Sequence, residues 1–148
     1  MKIQYLFLPL IFFLACSTNN NDSNDRVNLQ AGVFPQRWDL KSMSGMVAGV
    51  PPTMAEDMDW QEHYLLSSDS TFVKTRNTKD GNLQDSGTFS IINLSDGKYI
   101  EFNYQEKGVL VGNCSNEPSE VLRFESETKL VGTWWACDGP GLFYERTE

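Results

Sequence analysis

From Arg37 onward, apolar and polar residues tend to alternate in short runs closed by turn chemistry, and helical periodicity is nearly absent. A period of two is that of a strand with one buried and one wet face. It predicts strands at residues 37–42, 63–67, 71–77, 86–93, 98–105, 109–114, 121–125, 129–135 and 142–146. Reversals between them are written in Ser67-Ser68-Asp69-Ser70, Lys79-Asp80-Gly81-Asn82, Ser95-Asp96-Gly97, Lys107-Gly108, Glu125-Ser126-Glu127-Thr128 and Asp138-Gly139-Pro140-Gly141. Turns at this spacing make sequential hairpins the economical topology. Such a sheet exposes two edges unless it closes on itself. The expected fold is therefore all-β: an antiparallel up-and-down meander of about eight strands closed into a barrel.

Residues 43–60 break the pattern. They hold Gly45, Gly49, Pro51 and Pro52, and prolines exclude a central strand. Four of the chain's five methionines, Met43, Met46, Met54 and Met58, lie here. Methionine packs adaptably. The segment reads either as a lid over an apolar barrel mouth or as a loop that plugs the barrel end with fixed contacts.

The N-terminus has the order of a secretory signal: Lys2, an apolar run from Tyr5 to Leu14, and a small residue, Ala15, before Cys16. The polar residues after Cys16 stop the run short of the roughly 20 needed to span a bilayer. Phe13-Leu14-Ala15-Cys16 resembles the bacterial lipobox, which implies cleavage before Cys16 and lipidation of its sulfur. By the same resemblance Ser17 directs the protein to the outer membrane, with the leaflet open. Residues 17–28 are mostly Ser, Thr, Asn and Asp with little to bury, the composition of a flexible tether. The expected organisation is a signal peptide at 1–15, lipidated Cys16 and tether at 16–33, and one domain at 34–148.

The net charge of −8 becomes one unit more negative once Lys2 is removed, and the bases are scattered singly among acids. That argues against nucleic-acid binding, which clusters Lys and Arg. With Cys16 committed to lipid, Cys114 and Cys137 are an even pair, most simply a disulfide in an oxidising compartment. Two free thiols or half a metal site is the alternative, disfavoured by the absence of Cys-x-x-Cys and by His63 being the sole histidine.

Arg37-Trp38-Asp39-Leu40-Lys41-Ser42-Met43-Ser44-Gly45 resembles the opening strand of lipocalin-like domains. Leu66 to Lys74 followed by Gly87-Thr88-Phe89-Ser90-Ile91 resembles the next hairpin of bacterial lipocalin-like lipoproteins. Cys137 to Gly141 with Tyr144-Glu145-Arg146 resembles their last. The resemblance covers about residues 35–146. It implies a lipocalin-like barrel, an Arg146 guanidinium packed over the Trp38 indole at the barrel end, and non-enzymatic binding of a small apolar or amphipathic ligand. Inward residues such as Ile100, Phe102, Tyr104, Leu122 and Phe124 would then line a pocket, or fill the barrel themselves.

Catalytic chemistry finds little support. His63 lacks the motif context of a nucleophilic triad and reads as a strand residue. Glu56, Asp57, Asp59 and Glu62 lack the spacing of a calcium loop and read as a solvated face. An enzyme would need convergent polar residues inside the barrel, and none is expected there. Trp134 and Trp135 are expected on one strand, one inward and one outward. No catalytic residue, cofactor or metal is expected. The expected partners are the membrane through the lipid and a small ligand. The rival is a solid-core module docking an envelope protein, which an exposed aromatic patch near Trp60 or Trp135 would favour.

Overall fold

The computed structural model describes residues 33–45, 49–54 and 57–148, and these form an all-β structure. Its strands are β1 (Gln36–Ser44), β2 (Thr53–Met54), β3 (Gln61–Leu66), β4 (Thr71–Thr78), β5 (Gly81–Leu94), β6 (Gly97–Tyr104), β7 (Ser119–Ser126), β8 (Lys129–Gly132) and β9 (Gly141–Arg146). From β3 to β9 each strand pairs antiparallel with the next, and both β3 and β9 pair with β1, closing an eight-stranded up-and-down barrel. The two-residue β2 is an addition, pairing with Ser42 and Met43 of β1 beyond the reach of β3.

Alternation sets which face is inside. On β3, Glu62, Tyr64 and Leu66 are buried; on β4, Phe72, Lys74 and Arg76 are. The 14-residue β5 starts well before the predicted 86–93 because it serves two neighbours, β4 through residues 81–88 and β6 through residues 87–94. Gly87 sits where both ladders overlap. A Cβ there would stand 2.0 Å from the Asn103 carbonyl oxygen, so only glycine allows that approach.

Two predicted strands are corrected. Residues 109–114 form no strand but belong to the connection between β6 and β7. Leu110, Val111 and Gly112 are buried in succession, and the loop's backbone groups are taken by interior side chains rather than by a ladder. Strand 129–135 stops at Gly132. Thr133 turns to helical dihedrals, its amide and hydroxyl both donate to the Val121 carbonyl at 3.3 and 2.8 Å, and Trp134–Cys137 becomes a 3₁₀ turn. The two tryptophans therefore do not occupy opposite faces of a strand. Trp134 packs on Gly112 and Gly139, while Trp135 is 62% exposed.

The interior is aromatic. Tyr64 stacks on Phe102 with centroids 4.4 Å apart, and Phe72 meets Phe102 and Tyr104 edge-on at 4.8 and 4.9 Å. Trp38, Leu66, Ile100, Leu130 and Tyr144 complete this core. Each such side chain contributes about 1.5–3 kcal/mol by leaving water. Cys114 and Cys137 form a disulfide tying the β6–β7 loop to the 3₁₀ turn.

Candidate functional site

Two features stand out against this frame, one inside the barrel and one on its outer wall. The inner one corrects an expectation: the barrel does bring polar residues together. Lys74 is fully buried, with its ammonium 2.9 and 3.1 Å from the Glu120 carboxylate oxygens, 3.2 Å from Glu62 Oε1, and donating to the Leu110 carbonyl at 2.7 Å. Arg76 Nε donates to Glu62 Oε2 at 2.5 Å, and its guanidinium lies 4.4 Å from the Trp60 ring centre. Tyr64 and Tyr104 both donate to Glu120 Oε1, and the Gly112 amide donates to Oε2 at 2.8 Å. Tyr144 donates to Glu62 Oε1.

One ammonium and one guanidinium face two carboxylates, so the cluster is neutral as a whole. Burial would raise the Glu62 carboxyl, but the Lys74 and Arg76 charges and the Tyr144 hydroxyl outweigh it and hold the carboxyl below its ordinary value. Burial first, and the adjacent carboxylates second, push the hydroxyls of Tyr64, Tyr104 and Tyr144 upward. The tyrosines thus stay protonated donors. Glu62 is no member of a solvated acidic face. Its strand parity puts it inside, whereas Asp57 and Asp59 are exposed.

Strand parity is also the signal that finds the cluster in the sequence. Glu62 shares the phase of Tyr64 and Leu66, Lys74 and Arg76 that of Phe72, and Glu120 that of Leu122 and Phe124. Two acids and two bases on inward phases of three strands announce mutual neutralisation.

The outer feature is a cleft of about 550 Å³ between the 3₁₀ turn and the end of β1. Its floor is the cross-strand pair Val131 and Phe143, apolar residues on the outward phase of β8 and β9. Trp135 and Val50, both more than half exposed, stand at its sides, and Glu125 and Asp138 bring the charge. Asp138 holds its place through a left-handed backbone (φ 68°), its amide closing the 3₁₀ turn onto the Trp134 carbonyl. Glu125 reaches the outer wall at the β7 irregularity between Phe124 and Ser126.

Of the residues expected to line a ligand pocket, Ile100, Phe102, Tyr104 and Leu122 are buried core and Phe124 packs against them, edge-on to Trp38 at 6.1 Å. None of the five borders the outer cleft. Arg146 sits 6.0 Å from the Trp38 ring centre, the contact the resemblance implies. Of the lid methionines, Met43 and Met58 are core, Met54 is exposed on β2, and Met46 lies outside the described residues, as do Glu56 and Cys16. His63 is a half-buried residue of β3. Burial and the neighbouring Arg37 charge lower its pKa. Among the described residues no three His, Cys, Asp or Glu side chains are grouped to hold a metal, and no helix is long and apolar enough to cross a membrane. Compared with protein-family models, curated proteins and solved structures, the chain matches none.

Proposed function

We propose that the protein is a lipid-anchored, non-enzymatic binding module of the bacterial cell envelope, lipocalin-like in its barrel, which holds a small amphipathic molecule in the cleft on its outer wall. The observation that carries this reading is the division of space. Stacked aromatics and the ionic cluster occupy the barrel interior, while the outer cleft, at about 550 Å³, falls within the roughly 300–1,000 Å³ range of small-molecule sites. Outward-facing Val131 and Phe143 give it an apolar floor in a wall that alternation should make polar.

Anchoring at Cys16 rests on the lipobox resemblance, and Ser17 in the same resemblance favours the outer membrane. Mass spectrometry of the N-terminal peptide should find Cys16 as the first residue carrying acyl chains; an unmodified thiol there overturns the anchor. For the ligand, native mass spectrometry of the protein purified from its own host should detect a stoichiometric passenger that is lost on Trp135→Ala. A bare protein favours the second reading, docking of an envelope protein, which the exposure of Trp135 and Val50 supports.

A further inference from the structure

The ionisable side chains that line the outer cleft are of one sign. Among its described lining residues the ionisable groups are Glu125 and Asp138, and none is basic. The bases beside it are directed elsewhere: Arg123, the cross-strand partner of Val131, donates to the Asp96 carbonyl at 3.4 Å, Lys129 lies 3.3 Å from Glu145, and Lys41 lies 3.8 Å from Asp39. The aromatic at the cleft's side, Trp135, leaves most of its surface free, and Phe143 adds a second ring in the floor. An indole face with carboxylates nearby and an apolar floor is the chemistry that selects organic cations, because the ring quadrupole attracts a weakly hydrated positive head while the floor takes its alkyl body. A chain of net charge −8 adds a field that concentrates cations and repels anions.

Resting on the binding reading above, we infer that the cleft takes an amphipathic organic cation, with an alkylammonium head between Trp135, Glu125 and Asp138 and an apolar chain on Val131 and Phe143. Gly45 lines the cleft. A Cβ built there meets nothing within 4 Å, and its backbone lies outside the left-handed region, so this lining position accepts a side chain without strain.

The test is titration calorimetry on the full chain in a non-ionic detergent with three probes of one chain length: hexyltrimethylammonium, 1-hexanol and hexanoate. The ammonium should saturate one site about tenfold or more tighter than either other probe. Asp138→Asn, which keeps a residue tolerant of the left-handed backbone, combined with Glu125→Gln should remove that preference. Gly45→Leu should abolish binding of all probes while circular dichroism and the thermal midpoint stay unchanged. Equal binding of hexanol that Gly45→Leu blocks would overturn the cation inference and leave the binding reading standing. Tighter binding of hexanoate would do the same. Absence of saturable binding by all three probes would overturn both.

Discussion

Lys74 directs its ammonium to Glu120, Glu62 and the Leu110 carbonyl in a barrel that is mostly aromatic and aliphatic. Removing one partner from such a cluster strands the opposite charge in a medium that cannot solvate it. Lys74→Met should therefore lower the unfolding free energy by about 3–5 kcal/mol in urea denaturation. Replacing Glu62, Lys74, Arg76 and Glu120 together by apolar residues of similar volume should recover most of that loss, since desolvation offsets much of the ion-pair attraction. The cluster was legible in the sequence as charge on the inward phase. Charge is ordinarily read as surface, however, and only closure of the barrel brings strands β3, β4 and β7 within reach of one another. His63 carries a pH signature. Its folded pKa lies below the ordinary 6.5, so the unfolded chain binds the proton more readily and stability falls as pH drops from about 6.5 through the folded value. His63→Gln should flatten that part of the urea midpoint's pH profile. The depressed carboxyls of Glu62 and Asp39 act lower, their contribution being present above the ordinary carboxylate range and lost as pH falls through their folded values.

The connection between β6 and β7 does the work of an element without being one. Its Leu110 carbonyl and Gly112 amide reach the ionic cluster, and the Val109 carbonyl accepts from Arg76 at 3.4 Å. Cys114 holds it to the 3₁₀ turn through Cys137. A bridge across 23 positions stabilises by ~3 kcal/mol in the chain-entropy model. Double replacement of Cys114 and Cys137 by Ala should lose about that much. It should also raise hydrogen exchange at the Gly112 amide well beyond the global change, because the loop loses its outer tether; uniform exchange across the barrel would contradict this local role. Eight of the nine strands predicted from alternation have counterparts here, the one at 129–135 ending early at Gly132. The misread residues are 109–114, where Leu110 and Val111 bury in a loop without pairing, and 133–135, where the chain leaves β8 for the 3₁₀ turn. Periodicity sees burial, and burial by a loop looks the same as burial by a strand.

In the whole molecule the decisive event is the meeting of first and last strands. β1 and β9 pair from Trp38–Arg146 to Ser44–Gly141, and beyond them Thr147 donates to the Arg37 carbonyl at 2.9 Å. Closure was legible because a meander of this many strands otherwise leaves two edges unpaired. The cleft was not, since it arises from a turn, a strand irregularity and a loop that no local pattern assembles. With the Glu148 carbonyl accepting from the Arg37 amide at 3.2 Å, a circular permutant that joins residue 148 to residue 33 through a short glycine-serine linker and opens the Ser68-Asp69 turn should fold with native circular dichroism. Loss of cooperative melting in that permutant would show that the β3–β4 hairpin must form as a unit. The same closure has a mechanical side. β1 is gripped along its length by β9 on one flank and by β3, then β2, on the other. A pull entering the domain through its N-terminal end therefore runs along the strand axis and must shear both ladders at once, so the barrel resists most a load applied at that end.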